Sequence, residues 1–246
     1  VQKKRRKKRE KGIKMKIQKI NQDKKEGKIS FTLRDTTPAF ANLIRRIIIE
    51  NVPTLAIEDL EFKSNDSILY DEVIAHRLGL IPLTTDLKTY TMPDTCKCKG
   101  KGCARCSVNL TLTEKGPKTV YASSLKSNDP KVKPVFPTTP IVKLLKDQKL
   151  QFTAKAILGQ GKEHTKWSPA HIHYKGILIL EIQKDKNEVL KVIKACKEDS
   201  IEETKGTIKL MNVSDKGTDI CNNCREKIGD KITFKKNNND FIFFIE

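Results

Sequence analysis

Hydrophobic and polar residues alternate near the start of the chain, over residues 15–20 (MKIQKI) and 28–35 (KISFTLRD). Alternation with a period of two is typical of β-strands with one buried face. The polar segment between them contains Gly27, which can adopt the positive φ that tight hairpin turns need. The pattern therefore predicts a β-hairpin.

The period changes after Asp35, because apolar residues now recur every three or four positions, as on one face of an α-helix. Thr36 and Thr37 offer N-capping oxygens, Pro38 suits a first helical turn, and Pro53 stops the helix. The predicted helix therefore has one apolar face. This apolar stripe consists of Phe40, Leu43, Ile44, Ile47 and Ile48.

Most of the predicted elements that follow are strands. Residues 54–70 alternate like a pair of strands that turns at Asn65 and Asp66, and residues 70–83 resemble a short helix that ends at Gly79. Residues 187–199 have helical spacing. The sequence thus predicts an α+β fold in which strands are in the majority. The other alternating segments are 108–116, 118–125, 149–161, 172–183, 230–236 and 240–246.

The charge of the chain is unevenly distributed. The formal net charge is +19, and residues 1–16 hold ten Lys or Arg and one Glu. Such a run repels itself, so residues 1–12 are expected to form a disordered basic tail. Two interpretations of the tail remain open: a solvated segment, or a segment that contacts nucleic acid non-specifically through phosphates.

The sequence argues against a membrane-spanning protein and against a secreted protein held together by disulfides. No run of about 18 apolar residues is present, so no membrane-spanning helix is expected. Seven cysteines are an odd number, and they cluster at metal-ligand spacings without a signal-peptide pattern before them. A reducing compartment, the cytoplasm, is therefore expected.

Four cysteines lie within residues 96–106, in the pattern C-x-C-x4-C-x2-C. Four thiolates at this spacing can bind one tetrahedral Zn²⁺, and a site with four protein ligands is closed and structural. Gly100 and Gly102 allow the backbone to wrap around an ion, and the interleaved Lys and Arg side chains favour thiolates. The alternative is a set of reduced free thiols. The predicted zinc ligands are Cys96, Cys98, Cys103 and Cys106.

The other cysteines, Cys196, Cys221 and Cys224, are fewer than an iron–sulfur cluster requires from one ferredoxin-like motif. Lys227 and Lys231 occupy the positions that would complete it. A three-thiolate iron–sulfur site and a degenerate site that only packs both remain open, the second being favoured. The sequence shows no nucleophile–base pair and no Asp-rich cluster for nucleotidyl transfer, so the chain itself is predicted to carry no catalytic residues.

Three segments carry a resemblance to a known family: residues 41–62 (ANLIRRIIIENVPTLAIEDLEF), 67–83 (SILYDEVIAHRLGLIPL) and 157–170 (ILGQGKEHTKWSPA). They resemble the D-type subunits of archaeal DNA-dependent RNA polymerase, a family related to the third-largest eukaryotic subunit and to the N-terminal domain of the bacterial alpha subunit. The resemblance implies a scaffold in transcription that pairs with the small subunit L. With the small subunits N and P it would form a platform for the large catalytic subunits of this nucleotidyltransferase.

The resemblance also implies a division of the chain. An alpha-subunit-like dimerisation domain would be built from residues 13–51, 171–181 and 239–246, without the final helix that the family usually has. A mostly β inserted domain, residues 52–170, would carry the zinc loop. Residues 182–238 would be a ferredoxin-like insertion whose cysteine set is depleted and degenerate.

Two groups of residues are predicted to contact partners. By resemblance, the apolar stripe would pack against the equivalent helix of subunit L. As an extension of the resemblance, a second group would contact a large subunit, with the tryptophan as a surface anchor. This second group is Arg45, Arg46, Lys162, Glu163, His164, Lys166 and Trp167.

Two other functions compete with the scaffold. A stand-alone zinc-dependent nucleic-acid-binding protein would account for the net charge of +19 and the cysteine loop. An iron–sulfur redox protein would account for the three remaining cysteines. Elution with polymerase at high salt favours the scaffold, whereas a lone chain that binds DNA with a steep salt dependence favours the nucleic-acid-binding protein.

Overall fold

The computed structural model describes residues 15–23, 27–182, 201–204, 207–210 and 232–246. Within them the chain divides into two compact units. The first contains the residues up to Arg46 and those from His171 onward, and the second contains Ile47–Ala170. The sequence placed the first of these divisions at 51/52 and the second at 170/171.

The described chain is mostly β-sheet with few helices, which is compatible with the predicted α+β class. The helices are α1 (Pro38–Asn51) and α2 (Asp71–Gly79), with short 3-10 turns at Pro93–Thr95, Ala122–Ser124 and Thr165–Trp167. The strands are β1 (Lys16–Asp23), β2 (Lys28–Arg34), β3 (Thr54–Asn65), β4 (Ser107–Lys115), β5 (Lys118–Tyr121), β6 (Lys126–Ser127), β7 (Pro140–Leu144), β8 (Lys149–Gly159), β9 (Ile172–Ile182), β10 (Ile201–Thr204), β11 (Thr207–Leu210) and β12 (Ile232–Ile245).

The first unit is built on a six-stranded antiparallel sheet in the order β1-β2-β12-β9-β11-β10. In the register of its central strands, Phe243 lies opposite Phe31 on one side and Tyr174 on the other. The Phe31 and Phe243 rings stack with centroids 5.0 Å apart, and Phe243 is fully buried. Cross-strand aromatic pairs of this kind stabilise a sheet and fix its register.

The second unit contains a four-stranded sheet in the order β3-β8-β4-β6 and a two-stranded sheet of β5 and β7. Alternate residues of β8 from Leu150 to Leu158 are buried, as the sequence pattern predicts. Its Phe152 ring packs against Phe62 with centroids 5.7 Å apart. The inward faces of β3, β4 and β8 and the buried face of α2 together form one apolar core.

Helix α1 begins as its sequence predicts. The Thr37 hydroxyl accepts a hydrogen bond from the Phe40 amide at 3.3 Å, and the Thr37 carbonyl accepts one from Ala41 at 3.0 Å. The first bond satisfies an amide that the first turn of a helix leaves without a partner, and the second is the first regular hydrogen bond of the helix.

The prediction of a second strand within residues 54–70 is wrong. β3 ends at Asn65, whose side chain accepts a hydrogen bond from the Ser67 amide at 3.1 Å and donates one to the Leu69 carbonyl at 2.9 Å. These bonds fold the segment back on itself and lead it into α2, so it makes no strand ladder.

The two strands predicted at the end of the chain are one strand, β12, with an irregularity between Lys236 and Phe241. The polar NNND segment stays inside the strand because its side chains have partners. Asp240, only 4% exposed, accepts hydrogen bonds from Asn237 Nδ2 at 2.8 Å and from the Asp35 amide at 3.1 Å. Residues 237–240 lie between the paired parts of β12, and these hydrogen bonds satisfy the buried carboxylate within the irregularity.

The described strands of the predicted ferredoxin-like insertion, β10, β11 and the first part of β12, continue the six-stranded sheet of the first unit. The predicted helix at 187–199, the basic tail of residues 1–12, and Cys196, Cys221 and Cys224 lie outside the described residues.

Candidate metal centre and partner-contact residues

The cysteine-rich loop is an excursion that ends where β4 begins. Its base is closed by a hydrogen bond from the Thr91 amide to the Arg105 carbonyl, at 2.8 Å. Cys96 and Cys106 are buried, while Cys98 and Cys103 are partly exposed. The buried pair thus faces the body of the unit and the other pair lies towards solvent.

The four sulfur atoms lie within 4.8 Å of one another. Three Sγ–Sγ distances are 3.5 Å for Cys96–Cys103, 3.5 Å for Cys98–Cys106 and 3.7 Å for Cys103–Cys106, and all four thiols are free. Tetrahedral Zn–S bonds of about 2.3 Å require sulfurs about 3.8 Å apart. The thiols therefore fit a tetrahedral thiophilic ion.

Tight turns bring the sulfurs together. The Lys99 amide donates to the Cys96 carbonyl at 2.9 Å, and the Cys106 amide donates to the Cys103 carbonyl at 2.9 Å. Gly100 and Gly102 have φ of 78° and 86°, as the sequence indicates, and Lys99 also adopts a positive φ of 51°. These turns therefore place the four thiols close to one another.

Hydrogen bonds and burial shift the pKa values of two thiols in the loop. The pKa of Cys96 is lowered to about 6, first because the backbone amide of Cys98 hydrogen bonds to its sulfur. Burial raises the pKa of Cys106 to about 12. The interleaved Lys and Arg side chains, expected from the sequence to lower thiol pKa values, are exposed, and none of them is among the main causes of these two pKa shifts.

The apolar stripe of α1 lies at the surface of the described chain. Phe40, Leu43 and Ile47 are 39%, 49% and 46% exposed, whereas Ile44 and Ile48 are partly buried. Leucine and isoleucine side chains at these positions leave apolar area in water. The stripe is therefore available for contact with another surface.

The predicted second contact group is divided by the structure. Lys162, Glu163 and His164 are exposed, and so is Arg46. The Arg45 guanidinium donates to Asn42 Oδ1 at 2.9 and 3.1 Å, which holds it along α1. Lys166 is largely buried, with its Nζ atom bound to the Glu58 carboxylate and to the Ile57 carbonyl.

The expectation that Trp167 is a surface anchor is wrong. Its side chain is 7% exposed, and its indole nitrogen donates to the Ile157 carbonyl at 3.3 Å. The absence of a side chain at Gly159 lets the ring lie directly against the backbone of β8. Trp167 therefore anchors its own segment to the sheet of the second unit.

The glycine turn after β8 has a role that the sequence analysis missed. Gln160 Nε2 donates to the Asn51 carbonyl at 2.9 Å, and the Lys162 amide donates to the Glu50 carbonyl at 3.1 Å. Carbonyls in the last turn of a helix have no partner within the helix. The turn thus caps the C-terminus of α1. In the sequence, the only indication of this role was a glutamine between two glycines, at residues 159–161.

A polar network lies beside the cysteine loop. The Tyr90 hydroxyl, in a side chain only 5% exposed, donates to Asp129 Oδ2 at 2.7 Å. Burial, followed by the hydrogen bond to Asp129, raises the pKa of Tyr90 to about 12, and the same bond lowers the pKa of Asp129. The network joins the segment before the loop to the connection between β6 and β7.

This network makes folding pH-dependent at the alkaline end. A tyrosine whose pKa is raised in the folded state stabilises the fold below its unfolded pKa of about 10 and loses that contribution as pH rises towards 12. We expect the difference in unfolding free energy between the wild type and Tyr90→Phe to shrink over this range. Urea unfolding at pH 8, 10 and 11 measures it; a constant difference contradicts the prediction.

Across the parts of the chain that the structure describes, no helix has the length and hydropathy needed to cross a membrane. Within the same parts, the four cysteines of the loop are the group of three or more potential ligands close enough to share an ion.

Comparison with known proteins places these features in one family. The family model for the RNA polymerase Rpb3/RpoA insert domain matches residues 57–181. The chain is 46% identical over 162 residues to DNA-directed RNA polymerase subunit Rpo3 of Pyrococcus furiosus, which covers 66% of this chain and 60% of that protein.

Two other relatives have the same name. Identity to Rpo3 of Methanothermobacter thermautotrophicus is 43% over 188 residues, covering 75% of this chain and 71% of the relative. Identity to Rpo3 of Methanosphaera stadtmanae is 38% over 234 residues, covering 91% and 86%. The matched part of the chain thus spans between about three fifths and nearly nine tenths of these relatives.

Proposed function

The chain belongs to the Rpo3 family of DNA-directed RNA polymerase subunits, and on that basis we propose that it is a non-catalytic assembly subunit of the polymerase. Its task is to hold other subunits in place during transcription, in a reducing compartment such as the cytoplasm. The comparisons give no support to a stand-alone nucleic-acid-binding protein. The observation that carries the proposal is the exposed apolar stripe of α1.

The partner proposed for this stripe is the small subunit L. Phe40, Leu43 and Ile47 follow one another along one face of the helix, each between 39% and 49% exposed. An exposed apolar helix face is favourably buried against a second apolar face. The equivalent helix of subunit L would provide that second face. The turn at residues 159–162 donates hydrogen bonds to the carbonyls of Glu50 and Asn51, the last two residues of α1.

The L heterodimer, together with subunits N and P, would then form the platform for the large catalytic subunits. Lys162, Glu163 and His164, exposed in the second unit, and Arg46 are the residues proposed to contact a large subunit. Within the second unit, the largely buried Lys166 and Trp167 are proposed to hold residues 162–164 in place. Arg45, which is bonded to Asn42 on α1, stays a proposed contact together with Arg46.

Zinc is the ion proposed for the cysteine loop, held by Cys96, Cys98, Cys103 and Cys106. When bound, Zn²⁺ supplies four bonds that close the loop, and a full set of protein ligands leaves no position for a substrate. The role proposed for the ion is therefore structural.

The test is co-expression with subunit L, followed by gel filtration at high salt. The wild-type chain is expected to elute with L as a 1:1 complex. Leu43→Asp should weaken pairing by about a hundredfold, because it places a charge in the centre of an apolar interface. Pairing is measured as the apparent dissociation constant.

Leu87→Asp is the matched control, since Leu87 is 52% exposed but lies outside α1. This variant is expected to pair like the wild type. A wild-type chain that stays alone in the presence of L, or a Leu43→Asp chain that pairs normally, would refute the proposed use of the stripe.

A further inference from the structure

A groove lies beside the cysteine loop, on the second unit, and no part of the proposed assembly role uses it. Its volume is about 470 Å³. Its lining comes from the cysteine loop, the start of β4 and the segments around residues 89 and 128. The lining includes Thr89, Gly102, Ala104, Ser107, Asn109 and Asn128.

The rim of the groove, defined by three residues that adjoin its lining in sequence, is basic. Lys101 and Arg105 flank the loop residues that form its wall, Lys88 precedes Thr89, and all three side chains are exposed. None of the three forms an ion pair with a described residue. The loop itself, residues 95–106, contains no acidic residue and also exposes Lys97 and Lys99. A ligand for this rim is therefore an anion.

The interior of the groove is suited to a polypeptide backbone. Asn109 and Asn128 are both exposed, and a backbone hydrogen bond from the Asn128 amide to the Asn109 carbonyl at 3.0 Å holds them side by side. A side-chain amide both donates and accepts, which is the pattern that an extended peptide presents. Both residues line the groove together with Thr89 and Ser107, whose hydroxyls already donate to Asp86 and to the Cys103 carbonyl.

Nucleic acid fits the same groove less well. Its aromatic lining residue, Tyr90, is 5% exposed and its hydroxyl is bonded to Asp129, so it offers no face on which a base can stack. Asp129 also lines the groove, and the Tyr90 hydrogen bond lowers its pKa, so one lining position carries a negative charge that repels phosphates and carboxylates alike. A peptide amide, in contrast, can donate to a carboxylate.

We propose that this groove binds an extended acidic segment of a partner polypeptide, with its backbone between Asn109 and Asn128 and its carboxylates on Lys88, Lys101 and Arg105. The site belongs to an interaction surface distinct from the α1 stripe. It gives the cysteine loop a second use, because a closed loop holds Lys101 and Arg105 at the rim.

The probe is a fluorescein-labelled 12-residue peptide of alternating Glu and Ala, titrated into the zinc-loaded full chain at low salt and followed by anisotropy. Its Gln–Ala counterpart and a dT12 oligonucleotide are titrated in parallel. The Glu peptide is expected to bind more tightly than both. The basic tail is present in every variant, so differences between variants report on the groove.

Two variants test the site in different ways. Lys88→Glu/Lys101→Glu/Arg105→Glu reverses the rim and should weaken binding of the Glu peptide by about tenfold or more. Asn109→Ala/Asn128→Ala lies outside the cysteine loop and should weaken it by about threefold or more through lost hydrogen bonds. Zinc content is measured in both, and the second variant keeps the test valid if the first loses metal.

Lys63→Glu/Lys143→Glu/Lys146→Glu is the charge-matched control, because these exposed lysines neither line the groove nor lie in the loop. It should change binding less than about twofold. The proposal is overturned if the control weakens binding as much as the rim variant, if the Asn variant has no effect, if the Glu peptide fails to bind, or if dT12 binds more tightly and depends on the same residues.

Discussion

Cys106→Ser is expected to reduce the zinc content from about one ion per chain to nearly none and to lower the apparent zinc affinity by at least about a hundredfold. Cys106 is 1% exposed, and its sulfur lies 3.5 Å from that of Cys98 and 3.7 Å from that of Cys103. A serine hydroxyl is a poor ligand for Zn²⁺, and its burial without a partner is unfavourable. The loop is then expected to lose its shape, since little apolar surface holds it.

Metal analysis and thermal unfolding measure this effect. Ala104→Ser is the control, because it adds the same hydroxyl to an exposed position of the same loop. Full zinc content in the Cys106→Ser chain would contradict a four-thiolate site.

The partly exposed Cys103 offers a comparison within the site. Cys103→Ser is expected to loosen the loop without abolishing pairing through α1, because the loop and the apolar stripe lie on different elements of the chain. Cys103→Ser and Leu43→Asp together therefore separate the metal site from the subunit contact.

Gly159→Ala is expected to destabilise the second unit by about 2–3 kcal/mol. A methyl group at Gly159 would lie 2.3 Å from two ring atoms of Trp167, so the ring must move out of its site. This movement would break the indole hydrogen bond to Ile157 and disturb the bond of 2.7 Å from Thr54 Oγ1 to the Trp167 carbonyl. The loss in unfolding free energy is measured with urea.

The chain contains one tryptophan, so its fluorescence reports directly on this contact. A red-shifted emission in Gly159→Ala would show that the ring has become exposed. Gly79→Ala is the control, since the nearest atom to its new methyl group is the Ile57 carbonyl oxygen at 3.5 Å, an ordinary contact. Equal stability and emission in both variants would refute the prediction.

Elements that depend on neighbouring residues were predictable. The spacing of apolar residues and the Thr37 cap define α1, alternation defines β8, and the cysteine spacing predicts a loop whose sulfurs are now found within 4.8 Å of one another. The family resemblance, which the comparisons confirm, likewise came from contiguous segments. In each case the information lies within a few residues, where helix, strand and turn geometry act.

Other features required the tertiary structure, because they depend on contacts between residues distant in sequence. The sequence suggested that Trp167 is a surface anchor, but in the structure its ring fills the space beside Gly159. The turn at 159–162 caps a helix because Gln160 hydrogen-bonds to Asn51, which is distant in sequence. In the sequence, the polar NNND segment resembles the end of a strand. In the structure, the Asp35 amide donates a hydrogen bond to the Asp240 carboxylate, 205 residues away, and β12 runs through the segment. The sequence alone determined the family, most of the main elements and the group of four cysteines that could hold a metal ion. Packing and long-range hydrogen bonds decided which side chains remain exposed for a partner.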